Sequence, residues 1–245
     1  MVGASGRAIL EALIAGERDP RLLADLAVGR ARNKIPALIE ALDGEFTAHH
    51  AFMIRHYLDE EDRWRSVIAA FDARIATLLA DRERDLANLA TIPGVSRLGA
   101  EIVIAETGGD MSQFASAHHL ASWIGVCPGQ NESAGVNRSG RIRPGNKQLK
   151  RLLGISAMVA VKSKDSYLSA FYRRLAARRS SRRALVAVMH KLAIAIWHVL
   201  HDQAPYRDLG ADHHTRRNPE RAMRRMTKEA NSLGLTVRFE PIATG

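Results

Sequence analysis

The sequence predicts a mainly α-helical protein, in which a long coiled-coil-like helical hairpin leads into a helical domain with a helix-hairpin-helix and a glycine-rich loop. Three observations carry this. No Gly or Pro interrupts the stretch between Gly44 and Pro93, and apolar residues recur through it in steps of three and four. Residues 89–108 (LATIPGVSRLGAEIVIAETG) read as two helices joined by a Pro-Gly turn. The longest later apolar run, residues 184–200, has helical length and period.

Residues 1–44 are expected to be short helices broken at Gly16, Asp19-Pro20, Gly29 and Pro36, forming a small linking segment. Ile9, Leu10, Leu13 and Ile14 share one face, as do Leu22, Leu23 and Leu26. Residues 45–89 read as one long helix, or two with a short break. Phe46, Met53, Tyr57, Trp64, Ile68, Phe71, Ile75 and Leu78 form a heptad seam, which serves either packing within the domain or a coiled coil between subunits. A homo-oligomer joined through this helix is the expectation.

Residues 90–245 are expected to form the second, basic domain. Its first motif is the hairpin at Pro93-Gly94, where the turn and the following helix N-terminus offer backbone N–H groups to a phosphate. Ser96 stands where the motif usually has a second glycine. Residues 114–127 (FASAHHLASWIGVC) follow as a short helix, with Leu120, Trp123 and Ile124 expected in the core. Adjacent histidines diverge by about 100° on a helix, so His118-His119 predicts no metal site, and none is expected elsewhere. Near the end, LTVRFEP alternates as a short edge strand would.

Charge narrows the partner. The chain carries a formal +10, but residues 1–92 hold 12 Lys/Arg against 15 Asp/Glu, and the excess lies beyond them. Between Ser133 and Lys191 there are 15 basic residues and a single acid, Asp165. A local excess of this kind suits a polyanion, and DNA is the expected partner. Cys127 is the only cysteine, which excludes an internal disulfide and a cysteine zinc site within one chain. Glu11 and Glu17 interrupt the apolar start, and residues 184–200 contain His190 and Lys191 in a run short for a bilayer. A soluble cytoplasmic protein without a membrane partner is expected.

Residues 128–146 (PGQNESAGVNRSGRIRPGN) are rich in Gly, Asn, Ser and Arg, a composition that lets backbone approach a ligand. Arg138, Arg141 and Arg143 bring charge; Ser133 and Ser139 bring hydroxyls. Lys147, Lys150 and Arg151 follow in the first turns of the next helix, where bound phosphate would offset their conflict with the helix dipole. Further on, Arg174, Arg178, Arg182 and Arg183 are expected along a helix whose cationic face follows a phosphate backbone.

The ordered set IPGVSRLGAEIVIAETG, HLASWIGVCPGQNESAGVNRSGRIRPGN and YLSAFYRRLAARRSSRRALVAVMHKLAIAIWHVL resembles the C-terminal part of DEDD-type insertion-sequence transposases. These are similar to pilin-gene DNA invertases and act as bridge-RNA-guided recombinases. The resemblance implies a serine nucleophile that forms a phosphoserine ester with DNA, and its Ser-small-Gly pattern falls on Ser133-Ala134-Gly135. Ser139 is the internal rival. It also implies a guide RNA as partner, and an RNase-H-like domain whose four acids bind magnesium. Met1 already matches an internal stretch of the family, so a chain truncated at its N-terminus, or a remnant, is expected. No cofactor is then bound by this chain itself, and magnesium belongs to the acidic domain.

Two other functions fit the residues. One is a helix-hairpin-helix module that binds nucleic acid without cutting it. The other is a tyrosine recombinase using Tyr167, Tyr172 or Tyr206 beside arginines and His190.

Overall fold

The computed structural model describes residues 3–127, 132–133, 135–137 and 142–240. The chain is mainly helical and divides into two compact units at Ala80/Asp81.

The first unit holds α1 (Ala4–Ala15), α2 (Pro20–Asp25), α3 (Ile35–Leu42) and α4 (Ala48–Leu78). Its stops and starts follow local chemistry. Gly16 ends α1 at φ 105°, which a side chain rarely adopts. Asp19 accepts from the Arg21 N–H to start α2, with Pro20 at its first position. Thr47 and His50 form a reciprocal cap on α4. Ile9, Leu13 and Leu23 make a small buried core, against which Leu10, Leu42 and Phe46 pack. Arg7 fastens α1 to α4 through two bonds to Asp62, at 2.7 and 2.6 Å.

The stretch expected as one long helix or two is two: α4 ends at Leu78, and a 3-10 turn over Ala80–Arg82 leads into the second unit. The helix packed on α4 is the 12-residue α1, so the expected long hairpin is one long helix with a short one beside it. Most of the heptad seam stands open. Tyr57, Trp64, Ile68, Phe71 and Leu78 are 54–65% exposed.

The second unit holds α5 (Glu83–Ala90), α6 (Arg97–Thr107), α7 (Ala117–Ile124), α8 (Lys147–Ala160), α9 (Tyr167–Ala176), α10 (Ser181–His201), α11 (His213–Arg217) and α12 (Pro219–Ser232). The expected apolar helix is α10, and it is the axis of the unit. It packs against α5, α7, α8 and α9, burying Val188, Leu192, Ala193 and Ile196. Among the described residues α10 is also the one helix long and apolar enough to cross a membrane. Leu86, Leu89, Val103, Leu120, Ile124 and Leu153 complete the core. Residues after α10 cross back over it: the Tyr206 N–H reaches Thr91 Oγ1, and Asp208 accepts from the Tyr167 and Gly210 N–H groups.

Two expectations change here. Residues 235–240 are neither strand nor helix; Leu235 and Phe239 are exposed, so alternation alone found no sheet to join. Trp123 is 42% exposed and packs against Phe114 instead of entering the core. On the eight-residue α7, Ala117, Leu120, Ala121 and Ile124 already fill the buried face.

Candidate nucleic-acid interface and glycine-rich loop

The α5–α6 hairpin turns between Ile92 and Val95, whose N–H bonds back to the Ile92 carbonyl. Gly94 sits at φ 84°, and a Cβ there would lie 2.3 Å from the Ser156 carbonyl oxygen on α8. Glycine is therefore required both by backbone conformation and by the helix behind it. Ser96, in place of the motif's second glycine, caps α6 by accepting from the Gly99 N–H at 3.2 Å. Arg97 locks the hairpin: it forms paired bonds to Glu83 and a third to Glu101. Pro93 and Gly94 are half-buried, with one side of the turn against α8.

The glycine-rich loop has its two ends fixed to each other. Gly125 closes α7 at φ 80°, its N–H going to Ala121 and Ser122 carbonyls, and Val126 is fully buried. The returning chain meets it at Gly145. A Cβ on Gly145 would lie 2.4 Å from the Ile124 carbonyl oxygen and 2.6 Å from the Gly125 nitrogen. Asn146 then performs three tasks. Its side-chain oxygen caps α8 through the Leu149 N–H, its amide donates to Glu106 on α6, and its N–H reaches the Trp123 carbonyl. Three helices thus hold one loop end. Asn146 does carry a sequence signal, since Asn just before a helical run is a strong cap, but one for capping and not for chemistry. Its partner Glu106, 40 positions away, left no local signal.

Within the loop, Glu132–Ser133 pairs antiparallel with Val136–Asn137, Ser133 opposite Val136, across a turn with Gly135 at φ 75°. The candidate nucleophile Ser133 is the last paired residue before the turn. The Ser133 side chain lies outside the described atoms, and Arg138, Ser139 and Arg141 lie outside the described residues. Arg143 is exposed at the returning end. Lys147 and Arg151 are exposed on α8, but Lys150 turns inward and donates to the Arg143 carbonyl at 2.8 Å. That lysine supports the loop.

The expected arginine helix is broken. α9 ends at Ala176 and α10 starts at Ser181, because Ser180 accepts from the Arg183 N–H and caps the new helix. Arg174 therefore lies in the last turn of α9, Arg178 in the connection, and Arg182 and Arg183 in the first turn of α10. They flank the corner between α9 and α10 and do not lie on one helix. Among the described residues, no carboxylate lies within 4.0 Å of the charged nitrogens of Arg174, Arg178 or Arg182. Elsewhere arginines are spent on internal pairs, as at Arg7, Arg63, Arg97 and Arg216.

The other titratable groups serve packing. His190, half-buried on α10, has its ring 5.6 Å from that of His118; burial, with help from His118 and Lys191, holds it below its ordinary range. Tyr206 is pushed well above the usual phenol by burial and by Asp208, and burial also raises Tyr167. Both shifts disfavour the phenolate.

Residues 86–173 match the transposase IS116/IS110/IS902 family. That span contains most of the hairpin, the whole loop, α8 and most of α9. The relatives are of the same kind. The chain is 35% identical to the transposase for insertion sequence element IS1111A of Coxiella burnetii, over 53% of its own length and 36% of the relative's. Against the probable family 20 transposase of Pseudomonas aeruginosa it is 27% identical, over 74% of itself and 56% of the relative. The pilin gene-inverting protein of Moraxella bovis is 26% identical, over 62% of this chain and 49% of that protein. The chain thus spans between about a third and just over half of these curated relatives. These matches are to proteins of the kind that the sequence motifs resemble.

Proposed function

We propose that this chain is the strand-transfer part of an insertion-sequence transposase or DNA recombinase, with Ser133 as the nucleophile and the cationic surface of the second unit as its DNA seat. The observation that carries this is the fixed loop. A glycine-rich segment within the family match is held by α6, α7 and α8 at its ends, and Ser133 stands beside its turn. Fixing the ends positions a nucleophile at little cost on binding. In the step, the Ser133 hydroxyl loses its proton and Oγ bonds to phosphorus. A bridging P–O bond then breaks, and the departing strand keeps that oxygen and takes a proton. The ester preserves the phosphodiester energy for a second strand end. Arg143, with Arg138 and Arg141, would offset charge growing on the phosphoryl oxygens.

By the family resemblance, magnesium would be held by the four acids of the acidic domain, which would supply that chemistry. Among the described residues no three His, Cys, Asp or Glu side chains are grouped to hold a metal ion. An acidic domain and a guide RNA come to this chain only through family resemblance. With neither supplied, the chain is expected to bind DNA without cutting it. The exposed seam of α4 supports a further part of the reading, a homo-oligomer joined along Trp64, Ile68, Phe71 and Leu78.

The test supplies the chain with a family acidic domain, donor DNA and guide RNA, then looks for a covalent DNA–protein adduct. Wild type and Ser139→Ala are expected to form it, and Ser133→Ala to form none. An adduct from Ser133→Ala at the wild-type level would remove Ser133 from the role.

A further inference from the structure

The connection between α8 and α9 forms an open pocket of about 410 Å³ that neither motif reading nor family resemblance assigns. Lys162, Lys164 and Arg173 line it, with Ser163, Ser169 and one carboxylate, Asp165. Among the described residues, none of the three cations has a carboxylate oxygen within 4.0 Å of its charged nitrogens, Asp165 included. The pocket therefore keeps a net positive charge.

Its construction removes the groups that would repel an anion. A helix C-terminus ordinarily leaves carbonyls facing outward with partial negative charge. Here the Val161 carbonyl accepts from Ser169 Oγ, the Ser163 carbonyl from Ser166 Oγ, and the Val159 and Ala160 carbonyls from the Lys162 and Ser163 N–H groups. Two of the N–H groups that open α9 are taken too: Tyr167 donates to Asp208, and Ser169 to Ser166 Oγ. With these helix-end groups occupied internally, the side-chain cations set the character of the pocket. Ser169 and Arg173 stand one turn apart on α9, and Arg173 adjoins Arg174, where the arginine corner begins.

We infer that this pocket seats a phosphodiester group of a nucleic-acid backbone, extending the arginine corner around the end of α9. The inference rests on the nucleic-acid reading above. Its chemistry is that of a phosphate oxygen held by two ammonium groups and a guanidinium. Asp165 opposes the bound charge and tempers the affinity. It holds φ 56°, a conformation Asn accepts equally well, so its charge is removable without disturbing the turn.

The experiment measures binding of labelled duplex and single-stranded DNA to the full chain by fluorescence anisotropy across a salt series. The variants are Lys162→Gln/Lys164→Gln/Arg173→Gln, the corner variant Arg178→Gln/Arg182→Gln, Asp165→Asn, and a control removing three charges in the first unit, Arg30→Gln/Arg32→Gln/Lys34→Gln. The seat variant is expected to bind duplex at least ~10-fold more weakly and to lower the salt slope by about 1, since one lost phosphate contact removes roughly 0.9. Asp165→Asn is expected to bind a few-fold tighter, an effect that damaged folding would not produce. If the corner variant weakens while the seat variant equals the first-unit control and Asp165→Asn equals wild type, the seat is overturned and the wider reading stands. If wild type binds neither DNA, both fall.

Discussion

Gly125 and Gly145 lie back to back: a Cβ on Gly145 would sit 2.6 Å from the Gly125 nitrogen, and one on Gly125 would sit 3.1 Å from the Gly145 nitrogen. Through this contact the end of α7 fixes the start of α8, and with it both ends of the loop that holds Ser133.

A ranking of glycine substitutions follows. Gly145→Ala meets only backbone atoms, and Gly125→Ala meets the Arg143 carbonyl at φ 80°, so each is expected to cost about 2–4 kcal/mol. Gly135→Ala has nothing within 4 Å and suffers only from its φ of 75°, about 1 kcal/mol. Urea unfolding monitored by circular dichroism gives the order, and a Gly135→Ala as damaging as Gly145→Ala would contradict it.

Asn146 separates capping from loop anchoring. Asn146→Ala loses the cap on Leu149 and the bond to Glu106, and is expected to cost about 1–2 kcal/mol. Asn146→Ser keeps a capping oxygen and should recover most of the α8 stability. Asn146→Asp also keeps the cap but sets a second carboxylate against Glu106, so near neutral pH it should fall below Asn146→Ser. Thermal melts of the three variants decide this.

His190 gives a pH dependence with a definite sign. Its folded-state pKa lies below the ordinary value of 6.5, so above that value both states are neutral and the group contributes nothing. As pH falls through 6.5 the unfolded chain takes up the proton and the folded chain resists it, and stability declines until the folded value is passed. Wild type should therefore lose more unfolding free energy between about pH 7.5 and about pH 5.5 than His190→Gln. Parallel slopes for the two proteins would show that His190 does not carry the effect.

The exposed seam makes a prediction about assembly. Ile68 and Phe71 are 55% and 65% exposed, so Ile68→Lys/Phe71→Lys should leave the helical content and melting of the chain nearly unchanged. If α4 joins subunits, the same variant should lower the mass measured by light scattering to that of one chain, 27.0 kDa. An oligomer of unchanged mass would move the interface elsewhere.

The elements with strong periodicity were legible in the sequence. Residues 184–200 announced α10 because a central helix is apolar over most of its circumference, and the Pro93-Gly94 turn announced the hairpin. Trp123 is of a residue type that is usually buried, but the buried face of the eight-residue α7 is taken by Ala117, Leu120, Ala121 and Ile124. The arginine run misled because spacing was counted across Ser180, whose hydroxyl starts a new helix. The loop frame was hidden for a different reason: Glu106 with Asn146, and Gly94 with Ser156, are tertiary pairings that no window of neighbouring residues contains.

Because the chain leaves at Gly125 and returns at Gly145 within touching distance, the frame acts as a socket. Closure entropy grows only with the logarithm of the enclosed length, so doubling the segment between the two glycines costs about 0.6 kcal/mol. A change in the length of that interior is therefore expected to cost α6, α7 and α8 little stability. The length of the segment and the stability of the helices that hold it are thereby uncoupled.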